Sequence, residues 1–140
     1  MTHMRINSIG FYSLNGCNVI ENPQNTRSLY FCTFLLKIRM ANPYGLICII
    51  LDNYTVHKAK IVHLTASSLG IILVYLPPYS PDLNPIEYIW KSIKAIISES
   101  KFENTYELKD CVEKNFMAFS CSISYASSWL NKFDLSNWQI

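Results

Sequence analysis

The amino-acid sequence predicts an α/β fold whose mixed sheet is part antiparallel and part parallel and is flanked by helices. The antiparallel part follows from Asn15-Gly16, a strong hairpin signal between two β-rich segments. The parallel part follows from two continuous apolar runs, Leu46–Leu51 and Ile71–Leu76, separated by a helical segment. Short apolar runs between turn residues are typical of strands that are buried on both faces, with helices on each side of the sheet.

The first half of the chain is predicted to contain the hairpin, the first apolar strand and two helices. The hairpin strands are expected at residues 6–14 and 17–21. Thr26 is expected to cap a helix from about Arg27 to Met40, because apolar residues recur there near helical spacing. After the first apolar strand, residues 57–69 are predicted to form a helix that Gly70 closes at its C-cap position.

In the second half of the chain, prolines mark where a strand ends and where a helix begins. Pro77-Pro78 stops the second apolar strand, since proline cannot donate to a sheet ladder. Asn84 is expected to cap the next helix with Pro85 at its first position, and that helix extends to about Ser100. Residues 105–133 are predicted to form one or two further helices.

Length and composition limit the kinds of protein that this chain can be. A chain of 140 residues, half of them apolar, argues for one domain with a buried core. The net charge of +2 permits DNA binding without arguing for it. Five cysteines at irregular spacing, with no C-x-x-C pair, indicate reduced cysteines of a cytosolic protein. We find no signal peptide and no apolar run of membrane-spanning length, so we expect a cytoplasmic protein without membrane contact.

Two acidic residues follow neighbouring strands. Asp52 comes directly after the first apolar strand, and Glu87 lies in the first turn of the helix after the second. Ligands of α/β sheets bind outside the carboxyl ends of the strands, where both acids would converge. Converging carboxylates repel each other unless a cation lies between them, and their oxygens suit Mg²⁺ or Mn²⁺. Two structural alternatives stay open: Asp52 begins an Asp-Asn turn, and Glu87 forms a capping box with Asn84.

A longer pattern surrounds these acids. The segment Asp52-Asn53-x-x-x-His57 is followed, after 34 residues between the two acids, by the string S-P-D-L-N-P-I-E-x-x-W that contains Glu87. This pattern resembles the catalytic core of mariner-superfamily insertion-sequence transposases, members of the DDE superfamily of endonucleases. The resemblance covers about residues 5–94 well and continues more loosely into the C-terminal helices.

The resemblance implies a ribonuclease H-like fold and a transposase catalytic domain that cleaves and transfers DNA strands with two divalent metal ions. It implies that Asp52 and Glu87 are the catalytic metal ligands, with Asn53, His57 and Asn84 in supporting positions. The domain is expected to occupy residues 1–140, with a core at 5–100 and C-terminal helices at 104–134.

The chain departs from the family pattern at the first acid. In the family that acid lies on the first strand, before the hairpin, whereas no Asp or Glu precedes Glu21 here. Glu21 ends the second hairpin strand and is a poor geometric substitute. The sequence therefore resembles an N-terminally truncated transposase, lacking the DNA-binding region, the first strand and the first metal ligand. We expect this chain alone to be inactive or nearly so, and its unpaired sheet edge to promote association.

The expected partners are DNA and, through the sheet edge, the chain itself or a full-length transposase. Four lysines flank the acids in sequence and are candidates for phosphate contacts that read no bases: Lys58, Lys60, Lys91 and Lys94. An ordinary solvated face explains them equally well. The alternative to an enzyme is a non-catalytic remnant that only folds, binds DNA nonspecifically or associates with full-length transposase. An unrelated metal phosphatase of α/β fold would not need the S-P-D-L-N-P-I-E-x-x-W string.

Overall fold

The computed structural model describes residues 4–127, and within them strands and helices alternate as an α/β fold. The elements, in chain order, are β1 (Ile9–Phe11), β2 (Val19–Glu21), α1 (Ser28–Ala41), β3 (Ile47–Leu51), α2 (Lys60–Ser68), β4 (Ile71–Tyr75), α3 (Ile86–Ser98) and α4 (Thr105–Ser120). Short 3₁₀ turns lie at Thr55–Lys58, Pro81–Leu83 and Ile123–Ala126. Of the predicted C-terminal helices, the part beyond residue 127 lies outside the described residues.

The strands form an antiparallel pair and a parallel pair. In the antiparallel pair, β1 and β2 align Ile9 with Glu21 and Phe11 with Val19. In the parallel pair, β3 and β4 align Ile47 with Ile71, after the crossover through α2. Both kinds of pairing predicted from the sequence are therefore present. In the described part of the chain, however, the two pairs do not hydrogen-bond to each other, so they form two sheets instead of one continuous mixed sheet.

The Asn15-Gly16 dipeptide lies in a wide loop. The strands end at Phe11 and resume at Val19, so the prediction of long strands around a two-residue turn was wrong. Side chains hold the loop: Ser13 N donates to Asn18 Oδ1 at 2.7 Å, and Gly16 N donates to Ser13 Oγ at 2.7 Å. These bonds take up backbone donors that a tighter turn would pair across the ladder.

Burial along β3 alternates. Ile47, Ile49 and Leu51 are buried, whereas Cys48 and Ile50 are exposed. The prediction that this run is covered on both faces was therefore wrong. The reason is that α1 and α2 pack on one face of the parallel pair, and successive side chains of a strand point to opposite faces.

Two apolar clusters form the interior, and the hairpin lies between them. The first joins α1 and α2 to β3 and β4, with Leu35, Ile38 and Val62 almost fully buried. The second joins α3 to α4 around Ile89 and Phe116. Ile9, Phe11 and Val19 pack against the first cluster, and Tyr12 and Ile20 pack against the second. The hairpin therefore connects the two halves of the molecule.

The predicted helix caps at Thr26 and Asn84 were wrong. Helix α1 has Arg27 at its N-cap without a side-chain cap, because Asn25 Oδ1 instead accepts from Arg27 N at 3.0 Å. Helix α3 begins after Pro85, and Asn84 contributes only its backbone carbonyl, which accepts from Glu87 N at 3.0 Å. A side-chain cap does occur on α4, where Asn104 Oδ1 accepts from Glu107 N at 2.9 Å.

The helix predicted at residues 57–69 is divided in two. A 3₁₀ turn covers Thr55–Lys58, and α2 begins only at Lys60. Gly70 follows α2 with a φ of +67°, the left-handed conformation expected of a glycine after a helix. No helix within residues 4–127 has both the length and the apolar character that crossing a membrane requires.

Candidate metal and DNA site

A cavity of about 820 Å³ lies between the two strand pairs. Residues 8–16 and residues 46–52 line it, together with residues of α1 and α3. We call this cavity the cleft. Asp52 and Glu87 both line the cleft, together with His57 and Asn84. The structure therefore brings together the two acids that the sequence singles out, and His57 and Asn84 with them.

Asp52 lies just beyond the end of β3, and His57 holds its carboxylate. Oδ1 lies 2.9 Å from His57 Nδ1, a close contact whose angles are not those of a well-formed hydrogen bond. Oδ1 also accepts from Tyr54 N at 3.3 Å, the turn contact expected of an Asp at this position. The His57 ring, and more weakly Tyr54 N, lower the pKa of Asp52 against the opposing effect of burial. Asp52 is thus a carboxylate at neutral pH, fixed in direction yet more than half exposed.

His57 is held by the core. Its ring stacks on Phe31 of α1, with centroids 4.2 Å apart, and meets Tyr54 edge-on at 5.5 Å. Tyr75 of β4 donates its hydroxyl to the backbone carbonyl of His57 at 2.5 Å. The His57 side chain is 17% exposed, against 56% for Asp52. Aromatic packing and the Tyr75 hydroxyl therefore fix His57 beside the acid.

Glu87 lies in the first turn of α3, half-buried at the edge of the cleft. Its pKa is raised above the ordinary 4.5, first by burial and then by the negative charge of Asp52, whereas Lys94 acts in the opposite direction. The capping-box alternative fails, because Asn84 N donates to Pro81 O at 3.1 Å and not to the Glu87 carboxylate. The Glu87 carboxylate is therefore not engaged by the helix terminus, and it is close enough to Asp52 for their charges to repel.

The other predicted residues differ in their placement. Asn53 is partly buried, and its Oδ1 has no hydrogen-bond partner in the described structure. All four lysines are exposed, and none lines the cleft. Lys58 Nζ lies 5.8 Å from the centre of the Tyr75 ring, a cation–π contact. Lys91 and Lys94 share a face of α3, and of the four only Lys94 acts on a cleft acid.

Glu21 lies away from the cleft, as the sequence indicated. Its carboxylate pairs with Lys37 of α1 at 2.8 Å, with both side chains about 40% exposed. Exposed pairs of this kind contribute about 0–1 kcal/mol. Glu21 is not among the residues lining the cleft, so it is not a third acid for that site.

The donor set at the cleft fits a hard divalent cation. Two carboxylates repel each other there, and a cation between them would relieve that repulsion. Oxygen donors suit Mg²⁺ and Mn²⁺, which commonly use one or two carboxylates together with water and phosphate oxygens. Within residues 4–127, no group of three His, Cys, Asp or Glu side chains is placed to hold a metal ion. The described site is thus a two-carboxylate site.

Sequence reasoning missed two residues that shape the site, Phe31 and Tyr75. Both are aromatic residues within a predicted helix or strand, which ordinarily indicates core packing. Their contacts with His57 join segments far apart in the chain, and no local pattern encodes such a contact. A hydroxyl on a half-buried strand residue is a weak signal, because buried tyrosines usually find a polar partner.

Comparison with known proteins identifies the family. Residues 2–109 match the family model of the DDE superfamily endonucleases. No curated protein sequence matches the chain. The fold is similar to a crystal structure of the catalytic domain of Mos1 mariner transposase, with a TM-score of 0.69 and 17% identity over 93% of this chain and 68% of that one.

Two further Mos1 structures are similar. The catalytic domain with raltegravir and Mn gives a TM-score of 0.72 at 17% identity, over 93% of this chain and 70% of that chain. The Mos1 strand transfer complex gives 0.68 at 18% identity, over 93% of this chain and 39% of that chain. At this level of identity the likeness shows the fold, which is the ribonuclease H-like α/β architecture expected from the sequence.

Proposed function

Since the chain belongs to the DDE superfamily of endonucleases, we propose that it is the metal-binding part of a transposase catalytic domain acting on DNA phosphodiesters. Asp52 and Glu87 are the proposed metal ligands. The observation that supports this assignment is that both acids line one cleft, where burial and then the charge of Asp52 raise the pKa of Glu87. A carboxyl whose pKa is raised by burial and by a neighbouring carboxylate is more typical of a functional site than of a structural cap.

The surrounding residues have distinct proposed tasks. His57 positions Asp52, since its ring contacts the carboxylate and is fixed by Phe31 and Tyr75. A divalent ion held by the two acids would act as a Lewis acid, activating a water or a DNA 3′-hydroxyl and stabilising the leaving oxygen. Lys91 and Lys94, both exposed on α3, are the proposed contacts for DNA phosphates near Glu87, without a base-reading role.

We propose that this chain alone binds the metal weakly and cleaves DNA little or not at all. Catalysis of this class needs the ions to be held in fixed positions, and two carboxylates constrain an ion less than three do. No third acid joins Asp52 and Glu87 among residues 4–127. The same observation favours a second candidate, a non-catalytic chain that folds, binds DNA nonspecifically and associates with a transposase.

Metal binding is the first test. Mn²⁺ bound to the chain can be measured by electron paramagnetic resonance of the free ion, for the unaltered chain and for Asp52→Asn and Glu87→Gln. The matched control is Asp82→Asn, because Asp82 belongs to the same sequence string yet does not line the cleft. We expect at least tenfold weaker binding in both cleft variants and no change in the control. Equal binding by all four proteins would refute the ligand assignment.

Cleavage is the second test and separates the two candidates. Nicking of supercoiled DNA is followed with Mn²⁺ for the chain and the same variants. We expect no nicking above the Glu87→Gln background. Nicking that disappears in both cleft variants would show that two acids suffice and would reject both the inactivity proposal and the non-catalytic alternative.

A further inference from the structure

Tyr79 has a strained backbone. It lies in the turn between β4 and α3, and its φ of +57° is the left-handed conformation that residues other than glycine rarely adopt. Among residues 4–127 no other non-glycine residue has a positive φ. The conformation costs free energy because the Cβ crowds the following carbonyl oxygen. Strain of this kind persists only where the surrounding structure enforces it, and it is concentrated at functional sites.

The Tyr79 side chain does nothing within the described structure to offset that strain. Its relative exposure is 101%, the highest among the large apolar and aromatic side chains of residues 4–127. The ring therefore lies in water and contributes neither apolar burial nor a buried hydrogen bond to the fold. A single exposed tyrosine is ordinary on a protein surface, but an exposed tyrosine in a strained turn is not explained by packing.

The turn that carries Tyr79 is held on both sides. Pro77 and Pro78 precede it, and the proline ring fixes φ. Ser80 Oγ donates to Pro78 O at 3.3 Å across the turn, and the 3₁₀ turn Pro81–Leu83 follows at once. The exposed ring is thus presented on a restrained backbone, so a ligand that binds it has little loop motion to freeze.

This turn lies at the same edge of the parallel strands as the two acids. Leu76 N donates to Leu51 O at 2.8 Å, and Asp52 directly follows Leu51. Tyr79 comes three residues after Leu76, so the two Cα atoms are at most about 11 Å apart, at ~3.8 Å per residue. Successive nucleotides of a DNA strand rise by ~3.4 Å. A nucleotide within about three positions of a phosphate at Asp52 is therefore within reach of the Tyr79 ring.

Other exposed aromatic side chains follow the two acids in the chain. Tyr54 comes two residues after Asp52 and is 49% exposed, and Tyr88 comes directly after Glu87 and is 46% exposed. Lys91 is exposed one turn beyond Tyr88 on the same face of α3. Exposed aromatic rings interleaved with lysines are typical of surfaces that bind single-stranded nucleic acid, because the rings stack on bases while the lysines meet phosphates.

We propose that Tyr79 stacks on an unpaired base of the DNA, close to the phosphodiester held at the two acids. The inference rests on the function proposed above, because it takes the ligand of Asp52 and Glu87 to be DNA. Inside a duplex the faces of each base are covered by its neighbours, so only a base outside the stack offers a face to the ring. Stacking tolerates any base. Tyr79 therefore distinguishes unpaired from paired DNA and reads no sequence.

The test compares a blunt fluorescein-labelled duplex with the same duplex carrying a short single-stranded tail, on the 3′ or the 5′ strand, whose first base is 2-aminopurine. Binding to the full chain is measured in EDTA by fluorescence anisotropy. We expect one of the tails to tighten binding, with stacking quenching the 2-aminopurine. Tyr79→Ala should weaken binding of that tailed duplex by roughly five- to 150-fold, the range for one stacked base, and change blunt-duplex binding less than twofold. Tyr79→Phe should keep both the preference and the quenching.

Two further variants separate stacking from a structural role of the ring. Tyr106→Ala is the matched control, because Tyr106 is 77% exposed on α4 and does not line the cleft, and both probes should bind it within twofold of the unaltered chain. Tyr79→Gly removes the ring and also the strain, since glycine adopts a positive φ freely. We expect it to lose the tail preference without any fall in Tm. A fall of several degrees, or a tail preference that is absent or survives Tyr79→Ala, would overturn the proposal.

Mn²⁺ binding separates this inference from the proposed function. Tyr79→Ala should bind Mn²⁺ as tightly as the unaltered chain, whereas Asp52→Asn and Glu87→Gln should keep the tail preference in EDTA. Absence of the preference, with Mn²⁺ still bound through the two acids, would refute the stacking while leaving the proposed function. A preference that depends on Tyr79, with Mn²⁺ binding unaffected by either acid variant, would refute the ligand assignment while leaving the stacking.

Discussion

Gly10 of β1 lies close against the aromatic side chains of the α3–α4 half of the molecule. A Cβ added to Gly10 would lie 2.6 Å from Phe116 Cε2, 2.8 Å from Phe116 Cζ and 2.9 Å from Trp90 Cζ2. Nonbonded carbon atoms prefer separations of about 3.5–4.0 Å, so the rings would have to move by close to an ångström. They cannot move freely, because Phe116 is 0% exposed and stacks on Trp90 at 5.2 Å.

We therefore expect Gly10→Ala to destabilise the chain by about 1–3 kcal/mol, the range for overpacking a closed core. For a chain of this size that corresponds to a fall in Tm of roughly 4–12 °C. Thermal and urea unfolding followed by circular dichroism measure the change. Gly45→Ala is the control: it has a φ of +79° and no neighbour within 4 Å, so only backbone strain of about 1–2 kcal/mol is expected there.

The packing argument is tested most sharply by a rescue. Phe116→Leu removes the ring atoms that the new Cβ would meet, at the cost of a cavity. In Gly10→Ala/Phe116→Leu, the two destabilisations should sum to more than the observed loss by at least about 1 kcal/mol, because contacting residues couple. Strict additivity, or a Gly10→Ala protein as stable as the unaltered chain, would refute the inferred contact between β1 and α4.

Three further predictions concern the site. Asp52→Asn should lower the pKa of Glu87, measured by carboxyl NMR titration, because a like charge is removed. The raised pKa of Glu87 stabilises the fold below pH 4.5, and this stability is lost as pH rises through the folded pKa. The variant should therefore lose less stability over that pH window. His57→Asn should raise the pKa of Asp52. The lowered pKa of Asp52 stabilises the fold above pH 3.8, and this stability is lost as pH falls through the folded pKa, so the unfolding midpoints of the variant should vary less below pH 4. An unchanged Asp52 pKa would reject the positioning role of His57. Replacing Lys91 and Lys94 with Gln should reduce the slope of log affinity for duplex DNA against log salt by about 2, since each phosphate contact contributes ~0.9; an unchanged slope would assign the DNA contact elsewhere.

The sequence predicts the order of elements and the edge where the acids meet, because turn residues and apolar runs mark strand ends. It does not predict the cap of α3. The spacing of Asn84 and Glu87 matches a capping box, yet Pro85 already adopts helical angles and Asn84 is extended, with its backbone carbonyl accepting from Glu87 N. Proline pre-sets the start of this helix, so the asparagine side chain is not needed as a cap.

The exposed face of β3 was not predicted from the sequence either. The apolar run that forms β3 has no polar residue to mark its outward face, so Cys48 and Ile50 cannot be told from the buried Ile47, Ile49 and Leu51 by composition. Periodicity can separate the two faces of a strand only when they differ in polarity. Whether a strand edge is paired depends on contacts between distant segments, which are properties of the folded chain.

The cleft and the proposed metal site share a wall, because Phe31 contributes to both. Its ring lines the cleft and also stacks on His57, which in turn contacts Asp52. Any group that fills the cleft at this end packs against the surface that fixes His57, and so constrains the direction of the Asp52 carboxylate. Occupying the cleft would therefore restrict the direction of the existing ligand, Asp52.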